Sequence, residues 1–317
     1  MKLKFLYLAL DLFLAILLLP SGYIAYAFRR VGSSRLPIST KLLRSIGVFP
    51  IINNYYEPLF RTNRLFDLGN VRVLPGVELN TEFQLNFLKE LIYSNELVEL
   101  ELNKNPKNTF DFKLKNGSFE SGDAEFLYQF LRFIKPHKVI EIGSGNSTKI
   151  AAMALKRNLI ESFLECQHIC IEPYEMDWLM RMDGISLIRE KVENLDIDWQ
   201  ETLEAGDLLF IDSSHIIRPQ GDVLKEFLEI LPKLKSGVYI HIHDIFTPRD
   251  YLKKWLVDDI KFWNEQYIVE ALLSNTNRYE IISALNYLKN DHYDALKKVC
   301  PYLEVNREPG SLYLKVI

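Results

Sequence analysis

The sequence predicts an α/β fold built on a largely parallel sheet with helices on both faces. Three observations predict it. From about residue 120 onward, short apolar runs alternate with helix-length segments, the pattern of strands buried on both faces. A glycine-bearing turn, Gly143-Ser144-Gly145, follows the first of these runs and opens a helix. Acidic residues and histidines stand just beyond later runs, where neighbouring parallel strands would deliver them to one crevice. The chain has 317 residues, 48% of them hydrophobic and 25% charged, so it can bury a sizeable core and wholesale disorder is excluded.

The first element is a membrane candidate. Residues 5–28 are almost wholly apolar, interrupted by Asp11 and by Pro20-Ser21-Gly22. As a helix they would reach roughly 36 Å, enough for a hydrocarbon layer of about 30 Å. The expectation is a membrane-associated segment over residues 1–30, with a kink or monotopic turn allowed at Pro20; a buried helix and a signal peptide are the alternatives. Arg29, Arg30, Arg35, Lys41 and Arg44 follow it, which favours a cytoplasmic body, and a soluble cytoplasmic protein is the other placement. Residues 1–48 carry seven basic groups against one acidic, net +6, while the remainder sums to −10. An acidic body and a whole-chain net charge of −4 argue against a nucleic-acid partner.

Residues 31–119 read as a connector and helical cover: aromatic and Pro-rich to residue 80, a helix over Thr81 to Val98, then a polar Lys-rich stretch from Asn103 to Asn116. The main domain is expected over 120–317, opening with a helix over Asp123 to Ile134. Strands are expected at Lys138 to Ile142, Gln167 to Glu172, Ser186 to Arg189, Asp207 to Ile211 and Gly237 to His243. Helices are expected at Thr148 to Lys156, Glu175 to Asp183 and Val223 to Leu231. Tyr279 to Ala284 and Ser311 to Val316 complete the strands as an antiparallel pair. Cys166, Cys170 and Cys300 form no disulfide framework and suit a reducing compartment.

The turn after Ile142 is the clearest ligand signal. Glycines at a strand-to-helix turn let backbone approach a ligand, and the new helix offers unpaired N–H groups. Thr148 stands where a third glycine would complete a dinucleotide fingerprint, which weakens a nicotinamide reading. Glu172, at the end of the next strand, is placed to accept hydrogen bonds from ribose hydroxyls.

Glu141-Ile142-Gly143-Ser144-Gly145-Asn146-Ser147-Thr148, then Ile171-Glu172-Pro173, then Asp207 to His215, together with Gly237 to Phe246, resemble the class I S-adenosylmethionine-dependent methyltransferases. The likeness is to their small-molecule O-methyltransferase branch, of catechol-type and sugar-modifying relatives. It implies a Rossmann-like seven-stranded sheet with an antiparallel last strand and S-adenosylmethionine as cofactor. By resemblance, Gly143, Ser144 and Gly145 line the cofactor, Glu141 helps hold its amino end and Glu172 holds the ribose. The adenine contact stays open among Arg189, Glu190, Lys191 and Glu193.

Asp212 and His215 follow the fourth strand; His241, His243 and Asp244 cluster at the end of the fifth. Histidine takes up protons near neutral pH, so His215 or His243, with Asp212, is a candidate for removing the proton of an acceptor hydroxyl. Catechol-type relatives bind magnesium through acidic residues at these strand ends. Asp212 and Asp244 match two of those ligands, but Ile245 cannot coordinate. Either a histidine, His243 foremost, completes a divalent-metal site with them, or no metal is used. Strand alternation offers a structural role instead, since Tyr239, His241 and His243 share one face. Arg218, Asp222 and Arg249, with Trp255, Trp263 and Tyr267, are candidates for orienting or stacking the acceptor. The expected acceptor is a hydroxyl of a small polar molecule, such as a sugar or glycolipid precursor. A nicotinamide oxidoreductase and a noncatalytic membrane-tethered binding module are the competing functions.

Overall fold

The computed structural model describes residues 2–317 except 62–64, 66, 103, 105, 107 and 175. Two compact units emerge, residues 1–66 and 67–317. The first opens with helix α1, Lys2–Val31, whose most apolar 18-residue window has a mean hydropathy of 2.1, and whose apolar side chains are exposed. Pro20 lies inside it. Proline removes one backbone donor; beside it, the Ser21 hydroxyl donates to the Leu17 carbonyl at 2.9 Å, and the helix continues through the Pro-Ser-Gly step. A short helix α2, Pro37–Ile46, begins on its proline and ends at Gly47 in the left-handed conformation. Within this unit Arg29 pairs with Glu57 and lies 4.8 Å over the Phe49 ring.

The second unit is a three-layer α/β structure. Seven strands, β1 Lys138–Ile142, β2 Gln167–Ile171, β3 Ile185–Ile188, β4 Leu208–Ile211, β5 Tyr239–Ile242, β6 Tyr279–Ala284 and β7 Leu312–Val316, lie in the order β3-β2-β1-β4-β5-β7-β6. The first five are mutually parallel, and β7 is antiparallel to both β5 and β6. This is the expected Rossmann-like sheet, covered on both faces. One core packs Phe126, Phe130 and Leu131 against Val139, Leu208 and Tyr313; the other packs Trp199, Phe227 and Ile230 against Ile140, Leu209 and Ile240. Alternate residues of one strand therefore enter opposite cores.

Helices α3, Thr81–Glu90, and α4, Ser94–Glu99, occupy the stretch predicted as one helix. The break allows the Gln129 side chain to accept the Tyr93 backbone N–H at 2.8 Å. Helix α5, Asp123–Ile134, matches its prediction, and α6, Asn146–Ser162, is longer than predicted at both ends. α5 and α6 are joined through Arg132, which is buried against Glu96, Glu161 and Asn158. The helix predicted from Glu175 to Asp183 is absent over its described part: a single 3-10 turn, Leu179–Arg181, stands there, and Glu175 lies outside the described residues. Arg189 competes for that backbone, donating to the carbonyls of Glu172, Tyr174 and Met176. Asn103, too, lies outside the described residues.

Helix α7 is Trp199–Thr202, and α8, Asp222–Lys225, widens to a π-turn over Glu226–Ile230 before Pro232 closes it. Helices α9, Glu265–Asn275, α10, Leu285–Asp291, and α11, Tyr293–Val299, complete the unit. All three cysteines are free.

Candidate active site

The strand order reverses between β1 and β4, and the carboxyl ends of the strands open there into a cleft, the usual ligand crevice of an open α/β sheet. Its wall runs from Gly143 past Glu172 and Tyr174 to Lys191, Val192 and Glu193, and returns through Asp212 to Ser214, Arg218 and Asp222. Its enclosed volume is about 180 Å3.

Three strand ends are tied together at the glycine turn. Gly143 N–H donates to the Ile171 carbonyl at 3.0 Å, and Asp212 N–H donates to the Ile142 carbonyl at 2.8 Å. Gly143 has φ +83°, and a Cβ there would fall 1.9 Å from the Asp212 carbonyl oxygen. Glycine is required by backbone conformation and by space alike. Gly145 differs: its φ is extended, and an added Cβ would meet no protein atom within 4 Å. Glu172 accepts the N–H groups of Ser144 at 3.1 Å and Tyr174 at 2.8 Å, so its carboxylate bridges the turn after β1 and the turn after β2. Glu141 lies beneath the turn, almost fully buried. It accepts the Ser147 hydroxyl at 2.5 Å and pairs with His168 Nε2 at 3.1 Å. Among the residues left open for adenine, Lys191 and Glu193 line the cleft. Glu190 instead accepts Lys191 N–H and the Asn194 amide, and Arg189 holds the β2 turn.

Asp212 reaches from the cleft into a second cluster. His215 Nε2 stands 3.5 Å from Asp212 Oδ1 and 3.5 Å from Asp244 Oδ2, and its Nδ1 pairs with Glu265 Oε2 at 2.8 Å. These atoms of Asp212, His215 and Asp244 form a compact triad of possible ligands. His243 is held differently. Its Nδ1 lies 3.1 Å from Asp212 Oδ1, and its Nε2 lies 3.8 Å from Asp123 Oδ2, so carboxylates flank both ring nitrogens. His241 is separate, stacked between Phe210 and Tyr313 in the core and bonded to the Ser311 hydroxyl at 2.8 Å. His215 and Asp244 both adopt left-handed backbone, with φ of 61° and 59°. Two such non-glycine residues in one cluster are the kind of local strain that collects at functional sites.

The electrostatics are those of a site short of positive charge. Burial disfavours the charged forms of His215 and His243, yet the carboxylates outweigh it and raise both pKa values, His243 well above the ordinary range. Burial likewise opposes the ionised form of Asp212, but His243 and His215 hold its carboxyl below the usual value. For Asp244 and Glu265 burial prevails, and both are raised. Glu226 is pushed well above the usual range by burial and by Glu265.

The sequence did not single out Asp123, Glu226 or Glu265. An acidic residue in the first turn of a helix reads as ordinary dipole complementation, and that is what Asp123 and Glu265 look like. Arg249 stands apart from the triad in its contacts, pairing with Asp291 at 2.8 Å. Trp263 packs on His215 with ring centroids 4.3 Å apart, whereas Tyr267 donates to Asp250 at 3.1 Å.

Residues 140–245, which include the glycine turn, Glu172 and the Asp212–His215–Asp244 triad, match the family model described as a methyltransferase domain. An uncharacterised protein of Archaeoglobus fulgidus is 30% identical over 159 residues, covering 48% of this chain and 70% of its own. Among solved structures, the O-methyltransferase from Bacillus cereus in complex with SAH is 14% identical with a TM-score of 0.39, over 73% of this chain and 91% of its own. A Klebsiella pneumoniae protein described as a putative O-methyltransferase is also 14% identical, with a TM-score of 0.37, over 73% of this chain and 89% of its own.

The chain carries a class I S-adenosylmethionine-dependent methyltransferase domain. S-adenosylmethionine is its cofactor, which sets aside the nicotinamide reading.

Proposed function

We propose that this methyltransferase methylates a hydroxyl of a small polar acceptor, a sugar or glycolipid precursor, at a membrane surface. One observation carries the reading: Asp212 belongs both to the cleft with Gly143 and Glu172 and to the cluster with His215 and Asp244. A sulfonium over the glycine turn then lies beside groups able to accept a proton. Gly143, Ser144 and Gly145 line the methionine part of the cofactor, and Glu172 accepts from its ribose. Glu141 acts from beneath, fixing the turn through Ser147. Lys191 to Glu193 border the adenine.

His215 is the base in this reading. Its Nδ1 is oriented by Glu265, as a carboxylate orients a catalytic imidazole, and its Nε2 is the nitrogen turned toward Asp212 and Asp244. His243 takes a supporting role, as a buried cation between Asp123 and Asp212. S-adenosylmethionine, held by Gly143, Ser144, Gly145 and Glu172, would supply the electrophilic methyl, and His215 Nε2 would take the proton of the acceptor hydroxyl as its oxygen is methylated.

A second reading rests on the charge imbalance. Four carboxyl groups, Asp123, Asp212, Asp244 and Glu265, surround two imidazoles, and buried carboxylates in excess call for a cation. Asp212, Asp244 and His215 fit a divalent ion that accepts imidazole, with Glu265 as the carboxylate behind the histidine. Such an ion would polarise the acceptor hydroxyl and lower its pKa. His215 then serves as a ligand in place of His243.

The apolar α1 and the basic residues after it support membrane association, and lipid-linked saccharides follow as the acceptor class from that location. The test is transfer of labelled methyl from S-adenosylmethionine to a panel of free and lipid-linked saccharides, with and without chelator. His215→Asn should lower turnover by about 100-fold or more while cofactor affinity is kept. Full turnover in His215→Asn rejects both roles. Chelator-resistant turnover rejects the metal reading alone.

A further inference from the structure

A second cavity, of about 510 Å3, lies along α6 and the amino ends of β2 and β3, away from the strand ends that form the cofactor cleft. Its volume falls within the roughly 300–1,000 Å3 common for small-molecule sites. Helix α6 has two faces. Ile150, Ala151, Ala154 and Asn158 are buried, and Asn158 meets Arg132 of α5. Lys149, Met153 and Lys156, spaced by four and three residues, form a second stripe on the cavity wall, beside Leu159. A helix facing solvent alone has no need of Met and Leu on such a stripe.

The wall has two chemistries. Met153, Leu159 and Met182 make it apolar, and Lys149, Lys156 and Arg181 supply three cations; among the described residues Asp183 is the acidic group on the wall, and Asp111 also acts on Lys149. Lys149 lies 4.5 Å over the Trp178 ring, and burial lowers its pKa against the opposing charge of Asp111. His168 also lines the cavity. Its Nε2 is bound to Glu141, while its Nδ1, in a residue only 2% exposed, has no hydrogen-bond partner.

We propose that this cavity is a binding site for an amphipathic anion, whose apolar body lies on Met153, Leu159 and Met182 and whose acidic head is held by Lys149, Lys156 and Arg181. Thioether side chains suit the apolar part because they adapt to chains of varied shape. No residue that lines the cofactor cleft lines this wall, and His168 links the two only through Glu141, so the proposal stands independently of the acceptor assignment.

The probe is dodecanoate below its micellar concentration, titrated calorimetrically into the full chain, with dodecyltrimethylammonium as the charge-reversed control. Met153→Trp fills the cavity and Lys156→Glu reverses its charge; unchanged binding of S-adenosylmethionine verifies that each variant is folded. The apolar α1 provides a background that neither substitution touches. We expect one dodecanoate site per chain, weakened at least tenfold by either substitution and not occupied by the cationic control. Dodecanoate binding that is the same in both folded variants, absent from the unmodified chain, or matched by the cation overturns the proposal.

Discussion

Gly143 and Gly145 look equivalent in sequence but meet different constraints. Gly143 is fixed by its positive φ and by the Asp212 carbonyl 1.9 Å from any added Cβ, so Gly143→Ala should cost more than about 2 kcal/mol and abolish cofactor binding. Gly145→Ala meets no protein atom; thermal unfolding should stay within about 1 kcal/mol of the parent, while calorimetry shows weakened S-adenosylmethionine binding. Equal stability losses in the two would contradict this division. His243 offers a comparable contrast with His215. Removing an imidazole flanked by Asp212 and Asp123 leaves buried carboxylates facing each other, so His243→Gln should destabilise by about 3–5 kcal/mol in denaturant titration. Loss of turnover with unaltered stability would instead make His243 a chemical participant.

At the scale of elements, the strands were the most legible. Lys138–Ile142 and Tyr279–Ala284 fall where apolar runs predicted them, because a strand buried on both faces has little choice of composition. Helices were less so. The periodicity from Thr81 to Val98 persists across a break, since Gln129, distant in sequence, takes the Tyr93 N–H. The expected helix before Asp183 gave way to backbone held by Arg189. Arg132 shows the same kind of long-range decision: it joins α4, α5 and α6 through Glu96, Glu161 and Asn158. Its pairs are only partly screened, since Arg132 is buried while Glu161 is 39% exposed. Arg132→Ala should therefore lower stability by about 3 kcal/mol, chiefly by stranding Glu96 and Asn158, and the chemical-denaturation midpoint should fall accordingly. A midpoint unchanged by this substitution would mean that packing alone holds the three helices.

For the whole molecule, charge and hydropathy divide the chain into a basic, apolar beginning and an acidic remainder. If α1 anchors the enzyme, the full chain should sediment with vesicles containing anionic lipid, and deletion of residues 2–31 should leave it in the supernatant. High salt should weaken only the contribution of the basic collar. A chain that stays soluble with vesicles present would place α1 elsewhere and remove the reason for preferring lipid-linked acceptors.

Local sequence was enough for the sheet and the glycine turn, because strand burial and close backbone approach restrict residue type within a few consecutive positions; the cofactor followed from the likeness of these segments to the methyltransferases. Local sequence also put Asp212, His215 and Asp244 at strand ends. Which histidine faces which carboxylate was set by long-range packing. His215 turns to Glu265, fifty residues away, His243 lies between Asp123 and Asp212, and His241 enters the core. Such pairings depend on how helices α5 and α9 are set against β4 and β5, a geometry that no local pattern encodes.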